Sequence, residues 1–493
     1  MKQLIHFCTA FILIYSLNAS GQGNVRYLTL QESIEIAKAN SPDALNAKQV
    51  FRTSYWEFRS YRASNLPALG LSSTLPYLNQ GFSTYQDSSG NRSYVRSQYL
   101  STKMSLGLTQ QIGITGGTIS LNSSLEGTWN QAGDNSDPFL SIPVNVVLNQ
   151  PLFTFNKFRW DRKIQPLKYS QAKRKYLEDI EQISITTINY FFNLLQAQVE
   201  QKIARVNLSN YDTMFRIAKG RFQLGKIAEN DLLQMELNFL KAQAAVENAD
   251  LNLENAQFRF KSYVRIKNSE QVRLVAPADI GFFTIDPTSS VGLAVEYSST
   301  SLDFKKRLLE AARQVNAAKM EERFDANIHA EIGLSKSGAT VPDSYIKPLD
   351  NRTLAVELTI PILDWGVAHG KIKMAESEEE IVKNSIDQEN IDFKQNVYLK
   401  AVQFNMQKNQ VRIAAKSDTV AKKSFDVTKG RYLIGKINSI LDLNNAQIET
   451  DGAEKAYYMA LQTYWQNYFE MRKLTLFDFR DNKPLEFDFK DIK

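Results

Sequence analysis

The sequence predicts an α+β membrane protein that is built from an internal duplication and combines very long helices with amphipathic strands. The duplication is direct: KGRFQLGKI at residues 219–227 returns as KGRYLIGKI at 429–437, an offset of 210 with six of nine residues identical. Two stretches, 157–218 and 371–429, contain almost no Gly or Pro and are typical of long helices. Between the helices, apolar and polar residues alternate as in strands. A repeated strand-and-helix unit indicates an architecture based on symmetry.

The first 21 residues predict a secretory signal peptide. Lys2 precedes an apolar run at 11–15, and small residues follow at Ala19 and Gly21. The only cysteine, Cys8, lies inside this segment, so the exported chain has no thiol and no disulfide. Removal of Lys2 lowers the net charge from +6 to +5, which is spread along the chain and gives no reason to expect a nucleic-acid partner.

The order of elements predicts two repeats. After a short amphipathic helix from Leu30 and a partner helix to about Asn65, the segment before Pro151 is rich in Ser, Thr and Gly and holds strands. The helix from Val291 to Phe324 matches the first helix at an offset of 258, so the first copy carries 48 extra residues. We expect these domains: a signal peptide at 1–21; a first repeat at 22–264, with strands at about 67–153 and a turn near 220–230; a connecting segment at 265–290; a second repeat at 291–477, with strands at about 325–363 and a turn near 430–441; and a C-terminal tail at 478–493.

The strands have the length that a tilted strand needs to cross a membrane. Residues 326–335 and 354–362 alternate between one apolar and one polar face over about ten residues each. The same alternation also fits hairpins of a soluble sheet. The helices favour the membrane interpretation, because about 60 residues of helix extend roughly 90 Å, farther than the core of a soluble domain.

So few strands cannot close a barrel within one chain. Four to six strands are fewer than the eight of the smallest membrane barrels, and an open edge in lipid leaves backbone groups unpaired at several kcal/mol each. Several chains are therefore expected to pool their strands in a cyclic assembly.

Several motifs resemble those of the TolC-family outer-membrane efflux proteins, also called outer membrane factors. They are LTLQESI at 28–34, NSP at 40–42, QPLF at 150–153, IPILDWG at 360–366 and the paired turns. The resemblance implies a homotrimer with a shared transmembrane β-barrel continued by an α-helical barrel across the periplasm. It implies a passive exit duct of a tripartite efflux or type I secretion system, set in outer-membrane lipid. Its partners would be a periplasmic adaptor (membrane fusion) protein and an inner-membrane RND, ABC or MFS pump, with no cofactor.

The resemblance also implies gate residues at the two turns. The acidic constriction of the family aligns with Asp442 and Asn445, so this chain would have one ring of three carboxylates and one neutral ring. Links that hold the closed state align with Asp231 and Tyr432, with Lys436 as the nearest basic partner. Asp231 could equally cap a helix, and Tyr432 could equally pack in a core.

The turns are also the expected docking site of the adaptor. The candidate contact residues are Gly220, Arg221, Gly225, Gly430, Arg431 and Gly435. Two histidines remain after export, His329 on the polar face of a strand and His369 at the surface, and neither has the convergent partners of a metal site. No catalytic motif is found, so we expect a channel and not an enzyme.

Two alternatives stay open at the level of sequence. A periplasmic coiled-coil adaptor or structural protein with a small soluble β-domain would explain the helices and the signal equally well. Family architecture gives four strands per chain and twelve per trimer, with the 48 extra residues as extracellular loops, whereas a literal count gives six and eighteen. We expect four and twelve.

Overall fold

A computed structural model describes residues 25–130, 138–267, 270–277, 280–436 and 440–492. The predicted signal peptide lies outside the described residues. The helices within these ranges are α1 (Leu30–Asn40), α2 (Pro42–Ser64), α3 (Lys157–Gln223), α4 (Glu229–Val264), α5 (Pro287–Tyr297), α6 (Ser299–Glu321), α7 (Val367–Leu433) and α8 (Ile440–Thr475). The strands are β1 (Val25–Leu28), β2 (Ala68–Gln86), β3 (Arg92–Ile112), β4 (Gly117–Asn130), β5 (Phe139–Leu152), β6 (Gln271–Leu274), β7 (Asp325–Gly338), β8 (Leu349–Thr359), β9 (Phe477–Asp478) and β10 (Lys483–Pro484).

The chain divides into two compact units. One unit comprises Met1–Phe51, Lys173–Ser299 and Asp392–Lys493, and the other comprises Arg52–Ala172 and Thr300–Ile391. The duplication is visible in the helices, because α3 and α7 are both 67 residues long and the return helices α4 and α8 are both 36 residues long. The helices described here include none with the length and apolarity that a membrane crossing requires.

The second unit contains one six-stranded antiparallel sheet. Its order is β2-β3-β4-β5-β7-β8, so strands that are neighbours in the chain are also neighbours in the sheet. The register runs from Leu69↔Leu108 through Leu108↔Leu121 and Leu121↔Val146 to Val146↔Ile332. These five residues form an apolar row across five strands, and all five are exposed in the single chain. Such an extended apolar face on a sheet is typical of a surface that contacts lipid or protein.

The expectation of four strands is wrong for this sheet, which has six. The extra residues of the first repeat are not loops: β2 and β3 pair from Ala68↔Thr109 to Gln86↔Arg92. The register shifts once, between Thr74 and Tyr77 around Pro76, as expected where a proline interrupts a ladder. The number four comes from the family architecture, whereas the literal count of strands from the sequence is six; residues 72–86, with three Ser and two Thr, alternate only weakly.

Polar side chains meet on the other face of the sheet. His329 contacts Asn149, with Nδ1 2.7 Å from Oδ1, and lies 3.6 Å from the carboxylate of Glu331. Asn145 Nδ2 donates to Glu331 Oε1 at 2.8 Å. The predicted polar position of His329 is therefore a hydrogen-bonded one.

The first unit is built around α3, α4, α7 and α8. Polar contacts join α4 to α3 through Asp250, which accepts from Gln201, and α3 to α8 through Asn207 and Asp451. Lys422 of α7 lies 3.2 Å from Glu454 of α8. The helices thus follow one another in the order α4-α3-α8-α7, with α4 and α7 at the two ends. The α+β class predicted from the sequence is confirmed.

Two segments have more structure than the sequence indicated. The connecting segment contains β6, which pairs in parallel with β1, and α5 begins within it at Pro287. The tail from Asp478 forms the β9–β10 hairpin, and its Phe489 packs on Phe51 and Tyr176. The pairing of β6 and the packing of Phe489 depend on partners far away in the chain, which local periodicity does not reveal.

Candidate functional site

The two helix reversals have nearly the same backbone. In the first, the amides of Leu224, Gly225 and Lys226 donate to the carbonyls of Gly220, Phe222 and Arg221 at 3.2, 2.9 and 2.9 Å. In the second, the corresponding bonds measure 3.2, 3.0 and 3.0 Å. Gly225 and Gly435 adopt φ values of +67° and +76°, so the reversal requires a residue without Cβ at both positions.

Arg221 of the first reversal binds the end of the helix that leads into the second. Its Nη2 donates to the carbonyls of Tyr432 and Leu433 at 3.0 and 3.2 Å. The guanidinium carbon lies 5.1 Å from the centroid of the Tyr432 ring. A cation at a helix C-terminus satisfies carbonyls that have no partner within the helix and interacts favourably with the helix dipole. Arg221 therefore links the two reversals by hydrogen bonds.

Four helices converge on one apolar cluster beside this contact. The cluster takes residues from α3, α4, α7 and α8, and its buried members are Met214, Ala218, Met235, Phe425, Tyr432, Ile440, Leu443 and Ala446. Tyr432 is only 2% exposed. Burial raises the pKa of Tyr432 and is the largest effect. The charge of Arg221 lowers this pKa, and the charge of Asp231 raises it.

The predicted gate residues occupy different environments. The N-cap of α4 is Ala228, with no side-chain cap, so Asp231 lies in the first helical turn and does not cap the helix. Asp442 and Asn445 are exposed, one helical turn apart at the start of α8. Lys436 is also exposed, and the basic group that contacts Tyr432 is Arg221.

The six docking candidates are four glycines and two arginines, and they differ in their surroundings. A Cβ at Gly220 or Gly430 would meet no atom of the described chain within 4 Å, so neither glycine serves a close helix approach inside one chain. Arg431 is exposed, whereas its counterpart Arg221 is partly buried. The two arginines occupy equivalent sequence positions and different surroundings.

A polar network, which no sequence motif predicts, lies between α3 and α8 beyond the cluster. Tyr211 donates to Asn444 Oδ1 at 2.9 Å, and Asp451 accepts from Asn207 at 2.7 Å and from Gln447 at 2.9 Å. Burial, with a smaller contribution from Asp451, raises the pKa of Tyr211 to about 12. Burial also raises the pKa of Asp451, against the effect of its hydrogen bonds. The contributing side chains lie on different helices, so no short motif marks the network.

Several solved structures of outer-membrane proteins share this fold. VceC of Vibrio cholerae is 12% identical with a TM-score of 0.62, covering 90% of this chain and 95% of that one. The CmeC channel of Campylobacter jejuni is 17% identical with a TM-score of 0.65, covering 94% and 88%. The MtrE channel of Neisseria gonorrhoeae, described in its open state, is 15% identical with a TM-score of 0.59, covering 90% and 88%. These likenesses show that the chain shares the fold of these proteins.

The chain belongs to the outer membrane efflux protein family, whose sequence model matches residues 111–264 and 305–475. It is an outer-membrane efflux channel that extends into the periplasm, as the resemblance of its motifs predicts, and the alternative of a periplasmic adaptor is set aside. The family is one of channels and not a class of enzymes. No curated protein matches the sequence.

Proposed function

We propose that three copies of this chain form one passive conduit, closed at the helix reversals, that receives substrate from an inner-membrane pump through a periplasmic adaptor. The pump would be of the RND, ABC or MFS class. The observation that carries the proposal is that the single chain exposes complementary edges in both of its units. An edge that is left open in one copy is the place where the next copy binds.

The sheet edges can pair with each other. β2 and β8 are the outer strands of a six-stranded antiparallel sheet, so they run in opposite directions. β8 of one copy can therefore pair antiparallel with β2 of the next, and three copies would give eighteen strands. Closure would satisfy the edge backbone groups in lipid, where each unpaired group costs several kcal/mol.

The helix edges show the same relationship. The second reversal is one residue longer than the first, so α8 corresponds to α4 at an offset of 211. Three α8 residues that bond to α3, Asn444, Asp451 and Gln462, correspond to leucines of α4. These leucines are Leu233, Leu240 and Leu251, and all are more than half exposed. The face of α8 that packs on α3 therefore has an equivalent face on α4. This equivalent face is apolar and has no partner among the described residues of the single chain.

The opposite edge carries a matching stripe. On α7, Met406, Ile413, Val420 and Val427 recur every seven residues and are 54–60% exposed. Met406 corresponds to Gln196 of α3, which bonds to Gln462 of α8 at 3.0 Å. A seven-residue apolar repeat predicts coiled-coil packing against another helix. We therefore expect α7 of one copy to pack on α4 of the next, as α3 packs on α8 within a copy.

Cross-linking tests the assembly. The pair Leu251→Cys and Met406→Cys should join neighbouring chains into dimers and trimers, because Cys8 is the only native cysteine and is expected to leave with the signal. The matched control is Gln196→Cys with Gln462→Cys, which should cross-link within one chain and leave its mass unchanged. A Leu251/Met406 pair that yields only monomers in detergent would contradict the trimer.

The gate belongs to the same proposal. We expect Asp442 to form a ring of three carboxylates and Asn445 a neutral ring beside it, which together favour cations. The links at Tyr432 would hold the reversals in the closed state, with Asp231 and Arg221 as its charged neighbours. Gly220, Gly225, Gly430, Gly435 and the two reversal arginines form the surface on which we expect the adaptor to dock.

Single-channel conductance in planar bilayers tests the gate. Arg221→Ala should increase conductance, because it removes the hydrogen bonds to the carbonyls of Tyr432 and Leu433. Asp231→Ala and Tyr432→Phe should do the same, because the family resemblance places their carboxylate and hydroxyl in the links that hold the closed state. Lys226→Ala is the control: it removes an exposed charge from the first reversal but no described contact to Tyr432, and should have little effect. Unchanged conductance in all three gate variants would remove the assignment.

A further inference from the structure

Each of the two reversals supplies an arginine and an aromatic residue, so two equivalent contacts are possible. Within the described residues of a single chain, one of these contacts is formed. Each reversal has an arginine followed directly by an aromatic residue, Arg221-Phe222 in the first and Arg431-Tyr432 in the second. Within the chain, Arg221 lies over the ring of Tyr432 and donates to the end of α7. The remaining halves are Arg431 and Phe222.

These remaining halves are exposed at equivalent positions. Arg431 is exposed, and within the described residues its side chain makes no hydrogen bond or ion pair. Phe222 is 39% exposed, and Gln223 beside it is exposed at the end of α3. Since corresponding backbone hydrogen bonds of the two reversals agree within 0.1 Å, the carbonyls of Phe222 and Gln223 are presented at the end of α3 as those of Tyr432 and Leu433 are at the end of α7.

The order of helices determines which copy supplies the missing partner. Along α4-α3-α8-α7, the second repeat follows the first, and the first repeat of the next copy follows the second in the proposed ring. Moving around the ring by one repeat replaces Arg221 by its equivalent residue, Arg431. The same move replaces the end of α7 by its equivalent, the end of α3 in the neighbouring copy. Arg431 therefore has the same position relative to the neighbour's α3 as Arg221 has relative to α7 within the chain.

We propose that Arg431 of each copy donates to the carbonyls of Phe222 and Gln223 of the adjacent copy, with its guanidinium over the Phe222 ring. This contact rests on the proposed trimer and gives it a specific link at the closed end. Six arginine links then alternate around the ring, three within chains and three between chains. The planar guanidinium presents five donors in a fixed geometry and stacks on an aromatic face, so it suits two carbonyls and a ring better than the single ammonium of a lysine does.

Cysteine pairs test the contact directly. With a short bismaleimide, Arg431→Cys plus Phe222→Cys should produce cross-linked dimers and trimers from the full-length trimer in detergent. Arg221→Cys plus Tyr432→Cys is the matched pair and should react within one chain, without a change of mass. Leu240→Cys plus Ser417→Cys reports on the helix interface, because it corresponds to the bonded pair Asp451 and Asn207.

The three pairs separate the two proposals. Intermolecular products from Leu240/Ser417 but none from Arg431/Phe222 would overturn the arginine link and leave the trimer intact. Monomers from both pairs would refute the trimer itself. Products from both pairs, with Arg221/Tyr432 remaining intramolecular, are the expected result.

Conductance gives a second readout that does not depend on cross-linking geometry. Arg431→Ala should raise single-channel conductance about as much as Arg221→Ala, and Arg431→Lys should restore it only in part. Lys226→Ala removes the same charge from an exposed position of the first reversal and should not raise conductance. Equal effects of Arg431→Ala and Lys226→Ala would mean that Arg431 acts only through its charge, contrary to the proposed link.

Discussion

At the residue scale, one buried ion network fixes the C-terminal tail to the helices. Arg472 donates to both carboxylate oxygens of Glu181, at 2.9 and 3.1 Å, and also binds Asp478. Tyr468 donates to Asp478 Oδ1 at 2.8 Å. The side chains of Arg472, Glu181 and Asp478 are only 15%, 4% and 8% exposed. Removing the cation would therefore leave two carboxylates buried without their partner.

We predict that Arg472→Met lowers the free energy of unfolding by about 3–5 kcal/mol, the usual cost of breaking a buried ion pair from one side. Thermal denaturation in detergent, followed by circular dichroism, measures the change. Lys473→Met is the control, since the one bond of Lys473 within the described part of the chain is to Gln182 at the surface, and the change should alter stability by less than about 1 kcal/mol. Equal melting temperatures for the two variants would show that the network adds nothing to stability.

The same network predicts a dependence on pH. Burial alone would raise the pKa of Asp478, but the hydrogen bond from Tyr468 and the charge of Arg472 bring it below its ordinary value. A carboxyl whose pKa is lowered by folding stabilises the protein above its unfolded pKa of about 3.9, and this contribution is lost as the pH falls through the folded value. Wild type should therefore lose more stability than Asp478→Asn between pH 7 and pH 3. A larger loss in the variant would contradict the sign.

At the element scale, the glycines of each reversal have opposite roles. Gly435 adopts φ +76°, whereas Gly430 lies within α7, where a Cβ would meet open space. Gly435→Ala should cost about 1–2 kcal/mol, because an L-residue is strained in the left-handed region. Gly430→Ala should stabilise by about 0.5–1 kcal/mol, because alanine is the better helix former. Melting temperatures of the two variants should move in opposite directions, and a shared direction would refute the distinction.

Much of the element pattern could be predicted from the sequence because it is periodic and repeated. The long helices, the reversals and the alternation of β7 and β8 follow from local spacing. The alternation predicts strands within 67–153 and a literal count of six, whereas the preferred number of four rests on the family architecture and not on the residues of this chain. At the candidate site, the repeat pointed to Arg221 and Tyr432 separately. Their contact could not be predicted, since it joins residues 211 positions apart.

At the scale of the whole molecule, the exposed edges explain why one chain is not the functional unit. The internal repeat gives each copy one buried version and one exposed version of the same helix interface. Leu251 belongs to the exposed version and is 65% exposed. Val206 is also exposed, but it lies on α3, and its equivalent in the second repeat is Lys416.

We predict that Leu251→Lys prevents assembly, because it places a charge in an interface that consists of apolar side chains. Val206→Lys should leave assembly unchanged, since the second repeat already holds a lysine at that position. Light scattering of the detergent-solubilised protein distinguishes trimer from monomer for both variants. Assembly of Leu251→Lys at wild-type strength would show that the α4 stripe faces something other than a second copy.

The mass of the mature wild-type protein in detergent tests the central claim most directly. Native mass spectrometry should give a particle of three chains, derived from a precursor of 56.1 kDa, with no stable monomer at low concentration. That result is expected if the sheet edges and the α4 and α7 stripes are closed by neighbouring copies. A monodisperse single chain, soluble without detergent, would contradict the account.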